Sequence, residues 1–238
     1  MRVSAYCYTN QGGRDHNEDS LRCLAEEGVF VLADGLGGHG KGEVASALAV
    51  ETIAAGCVEG ARDQEGLLSL FQTANEAILA AQALPGQEEM KTTAVALVIT
   101  GDQAVWAHSG DSRLYRYADG ALCHATRDHS VTYMKYLGGE IGYLDINHDD
   151  DRSSLLRALG KRECRPETGQ APLAAGDAFL LCSDGFWEYI YKEEILADLL
   201  KAETPRQWAE GMLLRHIRRA PPGNDNFSLI TVFVEEER

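Results

Sequence analysis

The apolar run Val29–Ala33 delivers Asp34 and then breaks at once into Gly35-Leu36-Gly37-Gly38-His39-Gly40. The same device recurs at Phe179–Cys182, which is followed by Ser183-Asp184-Gly185. Asn17-Glu18-Asp19, Gly110-Asp111 and Asn224-Asp225-Asn226 stand beside further strand-like runs. Acids carried to the ends of neighbouring strands repel one another strongly when buried, so something positive must hold them. The pattern therefore points to an oxygen-lined cage for divalent cations. Taken singly, each Asp-Gly step is more often a turn than a ligand. Repetition beside one strand after another reverses that reading.

A chain of 238 residues is long enough for one well-filled core, and no Ser/Gly-rich or Pro-rich linker interrupts it. A single domain over 1–238 is expected. The net charge of −15 argues against sequence-independent nucleic-acid binding and against docking on anionic membranes. Cys7, Cys23, Cys57, Cys123, Cys164 and Cys182 are scattered, several of them inside apolar runs, and form no C-x-x-C pair. That usage suggests free thiols in a reducing compartment. Residues 1–11 contain no apolar block of signal-peptide length, and no stretch of 18 apolar residues occurs. A soluble, cytoplasmic, monomeric protein is the expectation.

Short strand-like runs occupy Val3–Thr9, Leu21–Leu24 and Val29–Ala33. Over 43–62 the period changes: Ala47, Val50, Ala54 and Cys57 repeat at three and four, which predicts a helix with one broad buried face. A second helix is predicted over 65–83. Thr93–Thr100, Gln103–His108 and Ser112–Tyr117 are joined by turns too short for a parallel crossover, so these strands run antiparallel. Residues 131–152 begin as a helix and continue as a polar, acidic loop. A strand at Ala178–Cys182, helices over 193–201 and 205–219 and a strand at Phe227–Val234 follow. Antiparallel strands with helices in separate blocks indicate an α+β layered fold.

Two glycine patterns in 35–42 invite other readings. Gly35-x-Gly37-x-x-Gly40 matches a dinucleotide fingerprint, but a βαβ unit returns to a parallel strand within roughly 30 residues, and here two helices intervene first. Gly35-x-x-x-x-Gly40-Lys41 approaches a nucleotide P-loop, yet Gly42 stands where a Ser or Thr should bind magnesium. Asp149-x-Asp151 resembles an aspartyl-phosphate motif without a buried strand before it and reads as a solvated, mobile loop. No Cys is followed by an Arg six positions later, which excludes a cysteine-nucleophile phosphatase.

Read in order, the motifs are Arg14-Asp15-His16-Asn17-Glu18-Asp19-Ser20, Asp34-Gly35-x-Gly37-Gly38-His39, Thr92-Thr93, Gly110-Asp111-Ser112-Arg113, Asp128-His129-Ser130, Ser183-Asp184-Gly185 and Asp225-Asn226. This series, from Gly13 to about Val234, resembles the metal-dependent type 2C serine/threonine protein phosphatases, most closely the compact bacterial members. The resemblance implies a four-layer αββα sandwich, two central antiparallel sheets flanked by helices, with a two-metal site at one end. It implies that Asp34 bridges both ions, that the Gly35 carbonyl binds one, and that Asp184 and Asp225 hold the same centre. Glu18 or Asp19 would contribute directly or through water, and Asp111 would serve a third, weaker ion. Arg14 would grip the substrate phosphate, a role suited to a planar guanidinium fork.

All-oxygen sites select hard ions, here magnesium or manganese. Two such ions about 4 Å apart acidify a water and clamp phosphoryl oxygens for in-line attack. The implied substrates are phosphoserine and phosphothreonine on proteins, with a serine/threonine kinase as the opposing partner. The departures from the family pattern are Lys91 before Thr92-Thr93, and Leu36 where many relatives carry a His that protonates the leaving group; His39 stands nearby without an assigned role. Segment 131–152 corresponds to a variable flap. Asp128-His129-Ser130 cannot converge as a triad and reads as the cap of a helix starting near Ser130. Trp106, Trp187 and Trp208 read as core or surface residues. The rival readings are a P-loop nucleotide hydrolase and a non-catalytic phosphoprotein-binding relative.

Overall fold

The computed structural model describes residues 1–36 and 41–237, so His39 and the glycines beside it lie outside the described residues. The chain runs β1 (Arg2–Asn10), β2 (Asp19–Leu24), β3 (Val29–Leu36), α1 (Gly42–Glu59), α2 (Gln64–Ala81), β4 (Lys91–Thr92), β5 (Ala94–Thr100), β6 (Gln103–Ser109), β7 (Arg113–Ala118) and β8 (Ala121–Ala125). It continues with α3 (Val131–Leu137), a 3-10 turn (Tyr143–Asp145), β9 (Glu167–Pro172), β10 (Ala178–Cys182), α4 (Asp184–Trp187), α5 (Lys192–Leu199), α6 (Pro205–Arg219) and β11 (Phe227–Glu235).

The strands form two sheets, ordered β1-β11-β10-β7-β8 and β2-β3-β5-β6-β9, with β4 attached to β3. Every strand ladder among the described residues is antiparallel. Alternation along each strand sorts its side chains between two cores. Phe30, Leu32, Val95 and Leu97 of one sheet meet Phe179, Leu181, Ile230 and Val232 of the other in the layer between the sheets. Val29, Val31, Ala33, Ala96 and Val98 point the other way, onto Ala49, Ile53, Phe71 and Ile78 of α1 and α2. On the far side, Leu180, Cys182 and Leu229 pack against Phe186, Ile195, Trp208 and Met212 of α4, α5 and α6. Helix, sheet, sheet, helix is the layer order, as the resemblance implied.

Helix starts obey local chemistry. Asp63 and Thr204 accept from Gly66 N–H (2.7 Å) and Gln207 N–H (3.2 Å) at the starts of α2 and α6, and Ser130 accepts from Tyr133 N–H (3.2 Å) at α3. At α1 the constraint is steric. A Cβ at Gly35 would lie 2.3 Å from the Gly42 carbonyl oxygen, and one at Gly42 would lie 2.9 Å from Glu18 Cδ. These two glycines let helix α1 close directly over the end of β3. They are packing glycines rather than a phosphate loop, because β3 is followed by antiparallel β4 and β5. The dinucleotide and P-loop readings have no parallel strand to stand on.

Elements without an apolar signature escaped sequence reading. β8 is largely exposed, and β9 is an edge strand of mixed polarity whose Gly169 admits the Trp106 ring, 2.7 Å from a hypothetical Cβ. The acidic run at 149–151 also differs from expectation: Lys135 Nζ of α3 lies 2.7 Å from Asp149 and 2.8 Å from Asp151, so two of its carboxylates share one lysine charge.

Candidate metal centre

β3 carries Asp34 to one end of the sandwich, where it stands in register with Asp19 of β2. The two threonines after Lys91 pin its backbone. Thr92 Oγ1 donates to the Asp34 carbonyl (2.8 Å), while the Asp34 N–H donates to Thr93 Oγ1 (3.1 Å). In the other sheet β10 ends at Cys182, Ser183 precedes α4, and Asp184 opens that helix with its Oδ1 accepting from Gly185 N–H at 2.6 Å. Gly185 is held against β11, since a Cβ there would meet the Asn226 carbonyl at 2.1 Å. Asn226 in turn donates to the Gln11 and His16 carbonyls (2.8 and 2.9 Å) and accepts from Glu18 N–H (2.8 Å). The loop bearing Arg14 and Glu18 is thereby tied to the turn bearing Asp225.

These ends enclose a cavity of about 460 Å³ lined by Arg14, Glu18, Gly35, Asp34, Asp111, Asp184 and Asp225. Of the pair at 18 and 19, Glu18 faces the cavity. Asp19 is buried; its Oδ2 accepts from Ser183 Oγ at 2.9 Å and its Oδ1 has no hydrogen-bond partner. A second cavity of about 470 Å³ adjoins, sharing Arg14, Ser153, Asp184 and Asp225 and adding His148, Arg152, Glu188 and Tyr189. Arg14 Nη2 donates to Asp225 Oδ2 at 2.7 Å on the border between the two.

The electrostatics are those of acids crowded together and largely desolvated. Burial, then the charges of Asp184 and Asp19, drives the Asp34 carboxyl well above the usual range. Burial and Asp184 do the same to Asp111, and burial raises Asp184. Asp19 is pushed up to about 7, first by burial. Glu18 is raised chiefly by burial, and Glu188 to about 7 by burial and Asp184. Asp34 and Asp184 face one another across the cavity as like charges, and the Asp184 charge adds to the upward shift of Asp34. A hard divalent cation suits this donor set: oxygen ligands only, an unpartnered buried carboxylate oxygen, and several like charges to offset.

Sequence reading missed how Asp111 is held. Trp187, expected only as a core or surface residue, donates its indole N–H to the Asp111 carbonyl at 2.9 Å, and Ser112 Oγ pairs with Thr93 Oγ1 at 2.7 Å. The position of Trp187, directly after Asp184-Gly185-Phe186, was the available signal. His148, Glu188 and Tyr189 carry no motif and are brought to the second cavity by packing alone. Ser130 caps α3 as expected, while Asp128 makes a bidentate pair with Arg113 (2.8 and 2.6 Å) in the interior.

Comparison with known proteins agrees with this architecture. The serine/threonine protein phosphatase PstP of Mycobacterium tuberculosis is 35% identical over 214 residues, 89% of this chain; the chain spans only 41% of that relative's length. Serine/threonine phosphatase stp of Listeria monocytogenes is 30% identical over 230 residues, covering 92% of this chain and 90% of the relative. A crystal structure of the PstP catalytic domain in complex with 2 manganese ions superposes with a TM-score of 0.88 at 30% identity, covering 98% of this chain and 99% of that one. Residues 11–215 match the family described as Protein phosphatase 2C, so the acids that converge here do so on that family's fold, and the chain belongs to it.

Proposed function

We propose that this chain is a metal-dependent protein phosphatase that hydrolyses phosphoserine and phosphothreonine on proteins and reverses a serine/threonine kinase. The observation that carries the reading is the convergence of Glu18, Asp34, Asp111, Asp184 and Asp225, far apart along the chain, on one cavity that Arg14 also lines. Asp34, the Gly35 carbonyl, Glu18, Asp184 and Asp225 would hold a pair of magnesium or manganese ions, with Asp19 supporting from beneath and Asp111 serving a third. When bound, such ions supply an ionised water and charge neutralisation at phosphorus.

The chain's own residues do the rest. Arg14 sits on the border of both cavities and would turn from Asp225 to a phosphate, keeping its charge because Asp225 and other acids hold it protonated. The neighbouring cavity, with Arg152 and His148 opposite Glu188, is shaped for the peptide around the phosphorylated residue. Segment 131–152 would act as its flap: it lends Asn147, His148 and Arg152 to the lining, and Asn147 Nδ2 donates to the Glu188 carbonyl at 2.9 Å. The whole of 1–238 acts as one catalytic unit, monomeric and cytoplasmic. In support, all cysteines are free and no helix among the described residues is long and apolar enough to cross a membrane.

The test is hydrolysis of p-nitrophenyl phosphate and of a phosphothreonine peptide with manganese, with chelator, and with ATP as competitor. Metal-dependent turnover of both, indifferent to ATP, is expected. Binding of the phosphopeptide without turnover would instead identify a non-catalytic relative.

A further inference from the structure

We infer that His129 is a positioning residue for Asp111, locking the Gly110 turn from which that carboxylate enters the acidic cavity. Gly110 follows β6 with φ +108°, a conformation side chains avoid, and a Cβ there would lie 2.6 Å from Thr93 Cγ2. His129 takes both backbone groups of this glycine: Gly110 N–H donates to His129 Nδ1 (3.2 Å), and His129 N–H donates to the Gly110 carbonyl (3.0 Å). Among the described residues no side chain donates to the Asp111 carboxylate, so its aim depends on the backbone that carries it. That backbone is held by His129 before the acid, and by Trp187 and Thr93 at and after it.

The imidazole is itself fixed. An amide N–H can only donate, so Nδ1 must be the unprotonated nitrogen and Nε2 carries the proton. Nε2 faces Glu167 Oε1 at 3.2 Å, and Arg157 Nη1, itself 3.3 Å from Nε2, holds the same oxygen at 2.8 Å. His108 stacks on the ring, centroids 4.5 Å apart and planes 17° from parallel, with its Nε2 on the Arg127 carbonyl. Burial keeps both histidines neutral, lowering His129 to about 4. His108, His129 and Glu167 have donor atoms within 4.8 Å of one another, the spacing of a cation site. The protonated Nε2 and the Arg157 guanidinium occupy the place a cation would need. The chain of contacts Arg157–Glu167–His129–Gly110 is therefore a brace running from the half-exposed Glu167 to the cavity.

The inference rests on the reading of Asp111 as ligand of the weakest-bound ion. It is tested by counting manganese bound to the full chain by electron paramagnetic resonance, with circular dichroism to verify folding. His129→Ala is expected to weaken the loosest ion about tenfold, as loss of an outer support for a metal ligand typically does, and to leave the two tighter ions unchanged. His129→Asn, which places an amide oxygen where Nδ1 stands, restores affinity, whereas His129→Gln, which mimics Nε2, does not. Glu167→Ala, at the outer end of the brace, weakens the same ion in a protein whose turn is otherwise intact. Unchanged manganese affinities in His129→Ala and Glu167→Ala, or His129→Asn as weak as His129→Ala, would overturn the brace. Stoichiometric zinc uptake by an Asp34→Asn protein, lost in Glu167→Gln, would show a cation site there instead. An Asp111→Asn protein that keeps every ion would remove the underlying reading, whatever the His129 variants do.

Discussion

Asp19, buried, and Asp34, half-buried, are directly paired across the β2–β3 ladder at the end of the sandwich where the acids converge. Like charges directly opposite one another destabilise a sheet, and here Asp184 adds to the repulsion on each. Ser183 offsets part of this by donating to one Asp19 oxygen, and the crowding favours the protonated form of both acids. The arrangement is costly to the empty protein and suited to a cation.

Asp34→Asn removes that repulsion and the central ligand together. We expect turnover of a phosphopeptide to fall by several powers of ten, as for loss of a metal ligand, while the melting midpoint in chelator rises. Asp184→Asn should behave alike. A variant with parental turnover, or one that melts lower in chelator, would contradict the placement of Asp34 at the centre.

pH acts through the same acids. Their folded pKa values lie above the unfolded ones, so between those values the native state binds more protons and stability falls as pH rises. With Asp19 near 7 and Asp34 and Asp111 raised in the same direction, metal-free protein should lose stability as pH rises through 7, where the buried histidines stay neutral. Manganese should raise the midpoint more at pH 8 than at pH 6. Thermal melts with and without chelator measure both, and an apo midpoint rising with pH would refute the cluster's raised protonation.

Arg14 is partly exposed and, among the described residues, makes its ion pair only with Asp225, so Arg14→Ala should leave the fold intact. Loss of a charged hydrogen bond to phosphate, about 1.5–3 kcal/mol, predicts kcat/KM lower by roughly 10- to 100-fold. Arg14→Lys should recover only part, lacking the planar fork. Steady-state kinetics on a phosphothreonine peptide decide this.

Arg113 and Asp128 form a buried bidentate pair, and the guanidinium lies 3.4 Å from the Trp187 ring centre. Asp128→Ala would strand that charge and should cost about 3–5 kcal/mol, a drop of roughly 10 °C in midpoint. Combining it with Arg113→Met should recover most of the loss. A single variant as stable as the parent would show that the pair is not desolvated.

The sandwich was legible because its strands are buried on both faces: Val29–Ala33 and Phe179–Cys182 leave no other reading of an apolar run that ends in Asp-Gly. The residues of the acidic cavity were legible for the same reason, since each follows or precedes such a run. Edge strands β8 and β9 were not, because half-exposed strands carry no distinctive pattern. Nor was the fate of Asp149 and Asp151, which depends on where α3 places Lys135.

By itself the amino-acid order determined which residues could bear the chemistry and which strands would present them, since period and punctuation are local properties. Tertiary structure alone decided that Glu18 rather than Asp19 faces the cavity, that Trp187 and His129 hold the backbone around Asp111, and that Glu188 and Arg152 line the second cavity. Those outcomes depend on contacts between segments up to a hundred residues or more apart, whose geometry follows from how two sheets pack and not from any short stretch of chain.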